Sequence, residues 1–389
     1  MSFNVYNLLW LLLPLAAMSG WLGASIEQKR RARRNAFDLP SAYFKGLNFL
    51  LNEQPDKAIE VFTQVLEVNS ETVETHLALG NLFRRRGEVE RAIRIHQNLI
   101  ARPTLDKEQR SHALLELGQD YLKAGLFDRA ENLFLELAEI RLHSEQALRL
   151  LLRIYQQEKE WGKAISSARK LARLSGENMN SVIAHYNCEL AELAYSNKDY
   201  AAARGFVKEA LSNDRKCVRA NILLGDIEAE GNRHRDAIKA WKHIEQQDAH
   251  FLGDVAEKIA DSYRRLGDEN GVYEFFRSAL ERHQLIGLVL TFAETIRNRE
   301  GIEAAEKFVV ESLRRRPSVH GLHKLIELNL AEAQESNKDD LMLLRNIIEE
   351  LREQHRGYAC QQCGFRGKSL HWLCPGCNRW STIKPVLEE

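Results

Sequence analysis

The chain has 389 residues, 44% of them apolar and 28% charged, with 55 Lys and Arg balanced by 55 Asp and Glu. Seven Pro and 22 Gly are too few for a collagen-like or low-complexity polymer, so a folded protein is expected. A formal net charge of zero offers no global field that would draw nucleic acid or another polyanion.

Residues Met1–Ile26 carry no charged side chain. Their core, Val5–Ile26, would form a helix of about 33 Å, enough to cross a hydrocarbon layer of about 30 Å. Trp10 and Trp21 suit the two interfaces, and Pro14 is tolerated within such a helix. A cleaved signal peptide would place positive charge before the apolar run, whereas Lys29, Arg30, Arg31, Arg33 and Arg34 follow it. The positive-inside rule therefore predicts a retained transmembrane helix at 1–26 and a basic juxtamembrane linker at 27–40, with the bulk of the chain on the cytoplasmic side.

From Ser41 a spacing recurs: a small residue, an aromatic three places on and an Ala nine beyond that. It stands at Gly46, Phe49 and Ala58, and 34 residues later at Gly80, Phe83 and Ala92. It returns at Gly118, Tyr121 and Ala130, then 34 further on at Leu152, Tyr155 and Ala164. A helix–turn–helix unit of this period resembles the tetratricopeptide repeat, TPR. Ala191, Ala203 and Val207 mark a fifth unit, and Gly225, Ala237 and Trp241 a sixth. In the seventh, Val272 replaces the Ala between Tyr263 and Phe276, which predicts looser or shifted packing; Ala293 and Ala305 mark an eighth. About eight repeats are thus expected over 41–318. The pair Val319–Glu335 and Lys338–Gln354 lacks the signature and reads as a capping pair (319–356), needed where a stack's last apolar face would meet water.

Such an array presents side chains of its first helices on a concave surface. TPR geometry places Asn81, Arg84, Gln119, Lys123, Arg149, Arg153 and Glu192 there, as a protein-binding groove or simply a solvated inner face. No Gly-rich phosphate loop, G-x-S-x-G or H-E-x-x-H occurs, so no catalytic residues are assigned and no enzyme is expected. The runs Arg84–Arg86 and Arg314–Arg316 fall on different helix faces and read as solvated helix ends, so no nucleic-acid partner is expected.

Four of the six Cys stand in two pairs, Cys360-Gln-Gln-Cys363 and Cys374-Pro-Gly-Cys377. Thiolates on two such turns converge on a tetrahedral site for one iron or zinc ion, a choice the donors leave open. A segment as short as 357–389 has too little core to stand without its metal. Tyr358, Phe365, Trp372 and Trp380 would supply apolar cover and dock the segment on the array, making the metal structural. Cys188 and Cys217 read as small buried side chains. The fold class expected is all-α: a TPR superhelical solenoid preceded by one transmembrane helix and followed by a small rubredoxin-like or zinc-ribbon domain.

Anchor, array and ribbon together resemble the lipopolysaccharide assembly protein B family of Gram-negative inner membranes. The most specific residues are His76-Leu-Ala-Leu-Gly-Asn-Leu-Phe83, Arg86-Gly-Glu-Val89, Arg91-Ala-Ile-Arg-Ile-His-Gln97 and Trp380-Ser-Thr-Ile-Lys-Pro385, with Cys360, Cys363, Cys374 and Cys377 matching the family's metal ligands. The resemblance implies an inner-membrane adaptor that helps an FtsH-type membrane protease degrade the lipid A deacetylase and is restrained by an inner-membrane lipopolysaccharide sensor. The residues also leave room for self-association as a homo-oligomer, for a general scaffold of another envelope complex, and for a rubredoxin-type electron carrier.

Overall fold

Helices run almost without interruption from Ser41 because the apolar residues recur at helical spacing and each turn between them has its own chemistry. The computed structural model describes residues 41–52, 54–68, 73–332, 335–354 and 357–386. The transmembrane helix expected at 1–26 and the basic linker at 27–40 lie outside the described residues, among which no helix is long and apolar enough to cross a membrane. The chain divides after Ile154 into two compact units.

The first unit holds α1 (Ser41–Leu51), α2 (Pro55–Val68), α3 (Val73–Arg86), α4 (Val89–Ile100), α5 (Lys107–Lys123) and α6 (Phe127–Glu139), and α7 (Ser144–Gln157) runs into the second. The insertion before α5 ends in a capping box: the Asp106 carboxylate accepts from the Gln109 amide, and the Gln109 side chain accepts from the Asp106 N–H. Within the repeats the turn between helices is built alike. Glu88 donates to the Phe83 carbonyl at 2.9 Å, Leu126 to Tyr121 at 2.9 Å and Glu160 to Tyr155 at 2.8 Å, the six-to-one bond of a Schellman turn. That bond demands a left-handed residue, which is Gly87 and Gly125 in the first unit but Lys159, Lys198 and Asn232 further on.

The second unit continues with α8 (Trp161–Ser175), α9 (Asn180–Ser196), α10 (Tyr200–Asn213), α11 (Val218–Glu230), α12 (His234–Asp248), a 3-10 turn at Ala249–Val255, α13 (Ala256–Leu266), α14 (Glu269–Arg282), α15 (Ile286–Glu300), α16 (Ile302–Arg315), α17 (Val319–Glu332) and α18 (Glu335–Gln354). Three short strands close the chain: β1 (Tyr358–Cys360), β2 (Arg366–Gly367) and β3 (Ile383–Pro385), antiparallel in the order β2-β1-β3, with Cys360 opposite Ile383.

Inside each repeat the signature small residue faces the side chain sixteen places on. Gly46 lies against Phe62, Gly80 against His96, Gly118 against Phe134 and Gly225 against Trp241, so closely that a Cβ would overlap each ring. In the fifth repeat the volume moves across the contact: Ala191 and Val207 stand at the corresponding positions and share one buried core. Close packing fixes the sum of the two volumes and leaves their division free. Val272 is 4% exposed and shares one core with Tyr263 and Phe276, so the seventh repeat is packed there rather than loosened. The last helix behaves differently from a polar cap. It buries Ile348 but leaves Leu343, Ile347 and Leu351 about half exposed along one face.

Candidate metal centre and its seat on the array

Two knuckles of the same design hold the four sulfurs. In the first, the Cys360 N–H donates to the Phe365 carbonyl (2.7 Å) and the Gly364 N–H to the Cys360 carbonyl (3.0 Å). In the second, the Cys374 N–H donates to Arg379 (3.0 Å) and the Asn378 N–H to Cys374 (2.8 Å). The residue after each second Cys, Gly364 or Asn378, is left-handed, which turns the chain sharply enough to aim both sulfurs of the pair inwards. Gly376 completes the approach: a Cβ there would meet the Cys363 sulfur at 3.2 Å.

The four Sγ atoms lie within 4.8 Å of one another. Cys360 and Cys377 are 3.8 Å apart, Cys363 and Cys374 3.7 Å. A tetrahedron of thiolates around a metal at about 2.3 Å has edges of about 3.8 Å, so the donor set fits one tetrahedral ion, iron or zinc alike. The electrostatics point the same way. Burial raises the Cys360 thiol, but the Thr382 hydroxyl and the Cys363 and Gln362 amides outweigh it and bring it down to about 6. For Cys363 the Phe365 amide favours the thiolate, yet burial and the neighbouring sulfurs push it up to about 12. Four sulfurs this close cannot all be anionic without a cation between them.

The ribbon is seated on the second unit's helices. Trp380 stacks on His185 with centroids 4.9 Å apart and meets Trp161 and Tyr186 edge-on at 6.4 and 5.8 Å. Trp372 stacks on Phe251 at 5.5 Å. Polar bonds frame these rings. The Ser381 hydroxyl lies 2.5 Å from His185 Nε2, Lys384 Nζ is 2.8 Å from the Asp248 carboxylate, and the Tyr358 hydroxyl bonds the Asp254 carboxylate. The Arg219 guanidinium, held by Glu189 and Glu192 at 2.8 Å each, lies 6.0 Å from the Trp380 ring. Burial, with Arg219 adding to it, lowers His185 to about 3, so the ring is neutral at physiological pH.

Of the aromatics expected to dock the ribbon, Trp372, Trp380 and Tyr358 reach the array, while Phe365 covers the sulfur cluster. The array side of the contact escaped sequence reasoning. His185, Trp161 and Phe251 hold no signature position, so the repeat pattern gave no signal for them.

The seven groove positions are distributed as follows. Arg84 binds Asp120 at 2.8 Å, Glu116 at 2.6 Å and the Asn81 carbonyl at 2.7 Å, so it ties α3 to α5 rather than standing free. Gln119 joins the group by donating to Glu116. Arg149 pairs with Glu145 on its own helix at 2.9 Å. Lys123 and Arg153 are exposed. Glu192, in the second unit, is an Arg219 partner.

The family model described as the rubredoxin metal binding domain matches residues 358–385, the ribbon with all four Cys. Tetratricopeptide repeat models match residues 75–111, 115–178 and 188–242. Among curated proteins, lipopolysaccharide assembly protein B of Escherichia coli K12 is 38% identical over 381 residues, 98% of each chain. The protein of the same name from Haemophilus influenzae is 34% identical over 396 aligned positions, covering 98% of this chain and 99% of its own.

Proposed function

The chain belongs to the lipopolysaccharide assembly protein B family, and from that premise we propose that it is a non-enzymatic, membrane-anchored adaptor of the inner membrane. In this reading it brings the lipid A deacetylase to an FtsH-type protease and is restrained by an inner-membrane lipopolysaccharide sensor. The observation that carries the reading is the seat of the ribbon. Trp372 and Trp380, both half-buried, make aromatic contacts with α8, α9 and the 3-10 turn. A metal held this way fixes the form of a protein surface, which is what an adaptor needs. Confinement by the apolar segment at 1–26 would raise the effective concentration of the chain beside membrane partners without any new contact.

Of the groove positions in the first unit, Lys123, Arg149 and Arg153 are exposed, and Asn81, Arg84 and Gln119 form a bonded group with Glu116; Glu192, in the second unit, binds Arg219. A photo-crosslinking amino acid at 123 or 153, in cells, is expected to capture the protease or the deacetylase. Capture of neither, with the variant still folded, removes the adaptor reading from that face. The electron-carrier reading differs in its response to metal. Loading with redox-silent zinc leaves an adaptor active and abolishes an electron carrier.

A further inference from the structure

Cys188 lies in the middle of α9 and Cys217 is the residue that caps the N-terminus of α11. They are 29 positions apart in sequence, yet their sulfurs are 3.9 Å apart, with Cys188 fully buried and Cys217 3% exposed. Both belong to one core with Ala184, Ala191, Ala220, Val207, Leu223 and Ile227.

The two thiols are chemically unequal. The contact with the Cys188 sulfur, with the pull of the Ala220 N–H in the first turn and of Arg219, holds Cys217 below the ordinary thiol value against burial and the Asp214 carboxylate. The same bond and burial push Cys188 well up. One sulfur at a helix N-terminus next to a guanidinium, with a proton-bearing sulfur in contact, is the arrangement of a nucleophilic thiol and its resolving partner. Arg215 and Lys216, the two residues before Cys217, are exposed.

We propose that Cys188 and Cys217 form a hydroperoxide-responsive dithiol that closes to a reversible disulfide between α9 and the start of α11. The Cys217 thiolate attacks one peroxide oxygen; the O–O bond breaks, the leaving alkoxide or hydroxide takes up a proton, and Cys217 becomes a sulfenic acid. The Cys188 sulfur then attacks the Cys217 sulfur. The S–S bond forms, the S–O bond breaks, and the hydroxyl leaves as water with the Cys188 proton. In sum two thiols and one hydroperoxide give one disulfide, one alcohol (water, from hydrogen peroxide) and one water. Closure draws the sulfurs from 3.9 Å to about 2.05 Å. It acts two residues from Arg219, the side chain beneath Trp380, so the modification is placed where it can bear on the ribbon's seat.

The full-length, metal-loaded protein is treated with excess hydrogen peroxide, alkylated and mapped by non-reducing peptide mass spectrometry. A peptide linked through Cys188 and Cys217 is expected in most molecules while far-ultraviolet circular dichroism is unchanged, and dithiothreitol should remove it. With Cys188→Ala, a dimedone adduct is expected at Cys217; with Cys217→Ala, Cys188 should remain unlabelled. Absence of the linked peptide from the native protein, or its formation only after denaturant, overturns the proposal. So do equal adducts at the two sulfurs in the paired variants. Should either variant fail to fold, the wild-type linkage decides alone.

Discussion

His185 is a histidine whose neutrality is imposed by its neighbours. It is 1% exposed, faces Trp380 on one side, and has no compensating carboxylate among the described residues, while Arg219 adds repulsion to desolvation. Its pKa falls from 6.5 to about 3, so the unfolded chain binds the proton more readily than the folded one. The stability that the neutral ring contributes is therefore complete above about pH 6.5 and is lost as pH falls towards 3. Each unit in that window is worth about 1.4 kcal/mol, so about 2 kcal/mol should vanish between pH 6.5 and 5. Urea denaturation of the wild type and of His185→Gln at pH 7.5 and 5, with bound metal measured in each sample, checks this. The wild type should lose more stability than the variant over that interval, and equal losses would assign the acid sensitivity to the thiolates instead.

Two helices of one repeat meet through the pairs sixteen residues apart, and at that scale the sequence was most informative. The recurrence of Gly118, Tyr121 and Ala130 at fixed offsets reports a contact that tolerates few shapes, which is why helix pairs and their turns could be read directly. Lys159, Lys198 and Asn232 carry the same left-handed turn without glycine, so a search for glycine alone would have missed them. The docking side chains were legible on the ribbon, where four aromatics crowd a short segment, and illegible on the array, where His185 or Phe251 alone signals nothing. The bonds that Arg84 makes were illegible for a related reason: its partners Glu116 and Asp120 lie a whole repeat away in sequence. The packing rule itself can be measured. Gly118→Ala gains up to about 1 kcal/mol in helix propensity, but its Cβ overlaps the Phe134 ring, and overpacking costs about 1–3 kcal/mol. A net loss is expected in urea denaturation, and adding Phe134→Val, which reproduces the Ala191 and Val207 pairing, should recover part of it. If the double variant is as unstable as the sum of the singles, the two volumes are not exchanged across that contact.

Over the whole molecule, stability in a repeat array is summed from each repeat and its interfaces with its neighbours, so a local staple should have a local effect. The ribbon is such a staple. It touches α9 through His185, α8 through Trp161, the end of α12 through Asp248 and the turn after it through Phe251. The first unit has its own contacts, such as Arg84 with Glu116 and Asp120, and among the described residues the cluster around the four sulfurs is built from ribbon side chains. Removing the metal costs the ribbon its fold, since three short strands cannot hold four converging thiols without a cation. Hydrogen exchange before and after treatment with a strong chelator should then show faster exchange of amides in α8, α9 and the 3-10 turn, with α3 to α6 unchanged. Trp380→Ala separates the two links in that chain: it should reproduce the faster exchange in α8 and α9 while the metal stays bound at one ion per chain. Uniform acceleration along the array, or none in α8 and α9, would mean that the metal governs only its own knuckles and that the aromatic contact transmits nothing.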